Sequence, residues 1–239
     1  MAAFARPLPC PIFMIPPSID PLSDKNAPIP ESERLETLNR LNIDPERPLL
    51  LQVSRFDRFK DPLGVIAAYR MVKPYHPELQ LVLVGGPADD DPEGAEVLRE
   101  VMEYAGEDKD LKILMLPPDS HRAINALQRS AIIVLQKSLK EGFGLTVTEA
   151  LWKEKPVVAG AVGGIPTQVI HKLTGVLVHS VEGCAYQVRY LLTHPEFAAQ
   201  LGKNGKEHAK ENFLITVNLK RWLLLFQILL GMAKPSATL

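Results

Sequence analysis

From residue 49 onward, short and nearly continuous apolar runs alternate with amphipathic segments, and that alternation leaves few folds open. Leu49-Leu50-Leu51-Gln52-Val53 is the first run; others cover residues 79–84, 111–116, 131–136, 156–160 and 175–178. Between them lie stretches of helical period. Over residues 63–72, Val65, Ile66, Tyr69 and Val72 share one face, and over 93–104 Val97, Leu98, Val101 and Met102 turn inward. Further helices are predicted over 120–130 and 145–152. A strand that is apolar at every position must be covered on both faces, and strands separated by helices run parallel. The expected architecture is therefore α/β, a parallel sheet with helices on both faces. Its crossovers are right-handed, and ligands belong at the carboxyl ends of its strands.

The ends of the chain read differently. Residues 1–30 are rich in proline, which forces extended or turning paths, with one short strand predicted at Ile12-Phe13-Met14-Ile15. They are taken as a linker leading into a domain that spans residues 31–239. That domain begins with a helix over 32–41, with Ser32 as N-cap and Leu35, Leu38 and Leu41 at three-residue spacing. Helices over 181–192, 195–212 and 215–230 finish it. A net charge of −1 lacks the basic footprint of a nucleic-acid binder. Two cysteines, Cys10 and Cys184, give neither a disulfide framework nor a metal-ligand spacing. Prolines at 7, 9, 11, 16 and 17 interrupt any leader-like apolar run, and the run from Trp222 to Leu230 contains Gln227 and is too short for a bilayer. A cytoplasmic location without membrane or nucleic-acid partners is expected.

The chemistry concentrates after two strands. Ala131-Ile132-Ile133-Val134-Leu135 leads into Lys140-Glu141-Gly142-Phe143-Gly144-Leu145-Thr146-Val147-Thr148-Glu149. That is a strand, a glycine bend and a helix start, with carboxylates at both ends. A helix start offers unpaired N–H groups and the positive end of a dipole, which suits an anion. Thr146 to Glu149 is also a capping-box pattern, in which Glu149 would bond the Thr146 N–H. After the first strand come Arg55 and Lys60, placed to hold a diphosphate at about 1.5–3 kcal/mol per charged contact; pairing with Asp57 and Asp61 is the plainer alternative. No G-x-G-x-x-G, Walker loop, H-E-x-x-H or nucleophile elbow is present. The six histidines are scattered, and Asp89-Asp90-Asp91 reads as a helix cap. No metal or cofactor is expected.

In combination the motifs carry a resemblance. Val53-Ser54-Arg55 with Lys60, Leu83-Val84-Gly85-Gly86, Glu141-Gly142-Phe143-Gly144 with Glu149-Ala150, and Val162-Gly163-Gly164-Ile165-Pro166 occur in this order. The set resembles the donor-binding, C-terminal half of a retaining glycosyltransferase with two Rossmann-like domains (GT-B), of the glycogen-synthase-like group. Pro17-Ser18-Ile19-Asp20-Pro21 and the central stretch are most similar to the glycosyltransferring trehalose synthases. The resemblance implies a hexosyltransferase, with a nucleoside-diphosphate glucose as donor and glucose or a related sugar as acceptor. It gives Arg55, Lys60 and Glu141 catalytic roles. Donor contacts fall to Gly85, Gly142, Phe143, Gly144, Leu145, Thr146 and Glu149, the last on the ribose. The family's N-terminal acceptor domain has no counterpart in these residues. A donor-binding subunit that needs a separate acceptor domain, or a homo-oligomer, is therefore the alternative, and a sugar-nucleotide epimerase a more distant one.

Overall fold

The computed structural model describes residues 11–86 and 92–232. Six strands form one wholly parallel sheet: β1 Leu49–Val53, β2 Gln80–Gly85, β3 Leu111–Met115, β4 Ile133–Gln136, β5 Val157–Gly160 and β6 Val176–Val178. Their order across the sheet is β3-β2-β1-β4-β5-β6. The chain starts in the middle, runs to one edge, then returns to lay β4 beside β1 with Leu50 opposite Ile133 and Leu51 opposite Val134. Order reverses between those two strands, so the loops that leave them diverge and open a crevice.

The helices are α1 Glu31–Arg40, α2 Pro62–Val72, α3 Pro92–Ala105, α4 His121–Ser130, α5 Leu145–Trp152, α6 Ile165–Gln168, α7 Val181–Thr193, α8 Pro195–Asn212 and α9 Ile215–Met232. Both sheet faces are dry. Leu50, Leu81, Leu83, Ile133, Leu135 and Val158 pack under α2, α3 and α7, while Leu49, Leu51, Val82, Val84, Val134 and Ala159 pack under α1, α4 and α5. Alternate residues of one strand therefore enter opposite cores, which is why the strands are apolar throughout. No helix among the described residues is long and apolar enough to cross a membrane.

Several local expectations are corrected. Ile12-Phe13-Met14-Ile15 forms no strand; Ile12 and Met14 are exposed, and the nearest pairing is a bridge from Ile19 to Leu214. Ser32 is not the cap of α1; Pro30 holds that place, and its fixed backbone starts the helix without a side-chain bond. Met102 lies 49% exposed on α3, where Val97, Val101 and Ala105 enter the core and Leu98 packs against it. The short α6 follows Val162-Gly163-Gly164 and was not anticipated. Residues 20–27 lack regular structure yet are tied to α4: Asn125 Nδ2 donates to the carbonyls of Asp24 and Ala27, and Arg129 Nη2 to that of Asn26. The Asp89-Asp90-Asp91 cap lies outside the described residues.

One ion pair anchors the crevice floor. Asp61 caps α2 by accepting from the Gly64 N–H at 3.1 Å, and its other oxygen meets the ammonium of Lys137, just beyond β4. The Lys137 side chain is only 6% exposed. Asp61→Asn keeps the cap and tolerates the left-handed backbone (φ 50°) but leaves a buried ammonium without counter-charge. It should cost about 3 kcal/mol of stability, read as a lower denaturant midpoint; an unchanged midpoint would show that Lys137 needs no partner.

Candidate functional site

The loop after β1 is bent by its own side chain. Asp57 accepts from the Lys60 N–H at 3.0 Å and winds Arg58–Lys60 into a short 3-10 turn. Gln52, still on β1, donates to the Lys60 carbonyl at 2.8 Å. Lys60 is thereby aimed across the crevice, where its Nζ lies 2.6 Å from Glu141 Oε2. Ser138 Oγ and Gln136 Nε2 reach the same oxygen at 3.3 and 3.4 Å, and Glu141 Oε1 accepts from the Gly142 N–H at 3.1 Å. The carboxylate is held from three sides before any ligand arrives.

The glycine bend is supported from below by the segment after β5. Gly163 has φ 54°, and a Cβ there would stand 1.6 Å from the Glu141 carbonyl oxygen. The Gly164 N–H donates to the Gly142 carbonyl at 2.9 Å. Gly144 caps α5 at φ 84°, with the Glu141 side chain against it. The first-turn N–H groups of Leu145 and Thr146 have no partner inside the helix and lie at the positive end of its dipole.

Three cavities meet here. One of about 300 Å³ is lined by Arg55, Asp57, Phe59, Lys60, Lys140, Glu141 and Gly142. A second, of about 210 Å³, lies over the ends of β1, β2 and β3, with Arg55, Gly85, Thr146, His121 and Lys25 among its walls. Arg55 lines both; its side chain is 78% exposed and touches Asp57 at 3.2 Å. The third, about 720 Å³, lies across the bend, where Gly142 and Phe143 face Pro17, His208, Phe213 and Arg221. The expected site residues thus gather at one crevice in two groups. Arg55, Lys60, Glu141 and Gly142 surround one space, and Arg55, Gly85 and Thr146 another. Phe143 turns to the far side and packs edge-on against Phe213 at 5.6 Å. The proposed pairing of Lys60 with Asp57 or Asp61 is not made, whereas Arg55 does pair with Asp57.

Glu149 departs furthest from expectation. It does not bond the Thr146 N–H, so there is no capping box. The carboxylate is buried, accepts from Gln128 Nε2 at 3.0 Å and meets Lys25 Nζ at 3.6 Å. Beneath it the Lys153 ammonium donates to Asn26 Oδ1 at 2.9 Å and the Glu149 carbonyl at 3.3 Å. Burial pulls the Lys153 pKa down to about 7, against the pull of Glu149. Sequence reasoning missed Lys25, Phe59, Gln136, Ser138 and Lys140. Only Lys140, whose Nζ rests 5.2 Å from the Phe59 ring centre, had a local signal, its place beside Glu141.

A family model described as glycosyl transferases group 1 matches residues 33–208. The chain belongs to this family. Among curated relatives of this glycosyltransferase family chain, the trehalose synthase of Thermococcus litoralis is 51% identical over 213 residues, which cover 89% of this chain and 52% of the relative. The chain spans about half the length of the curated trehalose synthases it matches. Among solved structures, sucrose-phosphate synthase from Thermosynechococcus elongatus aligns at a TM-score of 0.74 with 29% identity, over 91% of this chain and 52% of that one. HepE from Anabaena, solved in complex with UDP and glucose, aligns at 0.71 with 21% identity over 82% and 52%, a likeness of fold.

Two outcomes test this geometry. Gly163→Ala adds a strained backbone and a clash with the Glu141 carbonyl, and should cost about 2 kcal/mol or more in a chemical melt; a parent-like midpoint would show that the bend can move away. The Lys153 pKa lies below its unfolded value of 10.5, so the unfolded state binds more protons between about pH 7 and 10.5. The Lys153 contribution therefore makes stability rise with pH across that window. Lys153→Met should flatten the rise, leaving the smaller share of Lys155, whose pKa burial lowers to about 8. Parallel pH–stability curves for parent and variant would contradict the buried ammonium.

Proposed function

We propose that this chain is the donor-binding domain of a retaining glycosyltransferase that joins glucose from a nucleoside-diphosphate glucose to a second glucose, giving trehalose. The observation that carries the reading is the position of Arg55 between two cavities. A diphosphate at Arg55 would put its nucleoside over the ends of β1 to β3 and its sugar beside Lys60 and Glu141. The half-length kinship with trehalose synthases supports the substrate pair, and HepE shows that this fold holds UDP in another protein.

In this reading the bond between the glucosyl anomeric carbon and the diphosphate oxygen breaks, and the acceptor hydroxyl forms the new bond on the same face. The acceptor proton passes to the departing phosphate oxygen. Arg55, Lys60 and the α5 start offset the charge that develops there, which is where preorganised cations lower a barrier most. Glu141 holds sugar hydroxyls and orients Lys60. Glu149 serves the ribose. No metal is assigned a role. The acceptor wall comes from the remaining length of a complete enzyme.

Calorimetric titration with UDP-, ADP- and GDP-glucose tests the donor reading, and no binding to any at millimolar concentration would overturn it. Lys60→Ala should weaken the diphosphate sugar by about tenfold or more, the size of a charged hydrogen bond, while leaving the free nucleoside unchanged. Equal weakening of both would remove Lys60 from the phosphates. A non-catalytic donor-binding subunit is the second reading. It is favoured by α9, where Trp222, Leu223, Phe226 and Leu230 are each at least 43% exposed. Turnover by the chain alone with glucose as acceptor would exclude it.

A further inference from the structure

The carboxylate assigned to the ribose does not line the nucleoside-side cavity; Lys25 does. Glu149 lies beneath it with 6% of its side chain exposed, and the Lys25 ammonium stands 3.6 Å from Oε1. Oε2 is already engaged by Gln128. Oε1 is thus the oxygen left for a ligand, and Lys25 stands in front of it. The Lys25 backbone is part of the 20–27 segment tied to α4. Its side chain is held by nothing comparable: it is 36% exposed, and its ion pair is long. Movement of that one side chain opens the carboxylate without moving the loop.

We propose that Lys25 is a displaceable cover on Glu149, neutralising the carboxylate in the empty site and yielding to a vicinal diol when a nucleotide enters. The inference rests on the reading of this crevice as a nucleotide-sugar site. A long, partly exposed ion pair contributes little. Two hydroxyls donating directly to a buried carboxylate form short charge-assisted bonds, so the exchange favours the diol. The buried charge is not stranded when Lys25 leaves. Gln128 Nε2 still donates to Oε2, and Lys153 lies beneath, donating to the Glu149 carbonyl at 3.3 Å.

The test compares UDP, ADP and GDP with their 2′,3′-dideoxy analogues on the parent and on Lys25→Ala, using the nucleotide that the parent binds best. Lys25→Ala should tighten the diol nucleotide by about fivefold, the size of a weak ion pair, and leave the dideoxy analogue unchanged. If the parent prefers the diol but the variant tightens both, neither or loosens the diol, the cover is overturned and the ribose reading stands. If the parent does not distinguish diol from dideoxy, the ribose reading fails and the cover with it. Lys25→Gln, which removes the charge but keeps most of the length, gives the same comparison should the alanine variant fold poorly.

Discussion

The bond from Lys60 to Glu141 joins residues 81 positions apart at 2.6 Å, and most of the architecture is needed to make it. It requires β1 and β4 to be neighbours, which the reversal of strand order provides. Asp57 and Gln52 must wind and pin the turn that carries Lys60. Gly163 and Gly164 must lie bare beneath the bend that carries Glu141. Each condition sits in a different crossover. The pair therefore depends on β1, β4 and the segment after β5 together, and its geometry is preorganised in the empty protein.

The same arrangement, a lysine over a carboxylate, recurs along the crevice: Lys137 on Asp61, Lys60 on Glu141 and Lys25 on Glu149. They form a gradient. Lys137 is deeply buried and structural, Lys60 is intermediate and borders a cavity, and Lys25 is partly exposed and loosely held. Burial sets what each can do, because a dry pair is costly to separate and a wet one is not. Arg55, most exposed of these cations, pairs with Asp57 among the described residues and can turn toward an anion.

Fold class was legible because doubly covered strands must be apolar at every position; Leu49 to Val53 advertises that directly. Helices α5 and α8 fall where the pattern puts them, with glycine before one and proline opening the other. The failures are local and have physical causes. Residues 12–15 have strand-like composition but pair with no strand among the described residues. Thr146 to Glu149 has the spacing of a capping box, yet Gln128 and Lys25 compete for the carboxylate and win. Met102 has the right period but faces past the edge of the core.

Sequence by itself determined the parallel sheet, the glycine bend before α5 and the cluster of cations and acids after β1 and β4. These follow from period, chirality and backbone sterics, which act over a few residues. Only the tertiary structure decided which cation meets which acid. Lys60 takes Glu141 rather than nearby Asp57 or Asp61, and Lys25 covers Glu149 from across 124 positions of chain, because strand order and loop packing, not proximity in sequence, set the distances over which charges attract.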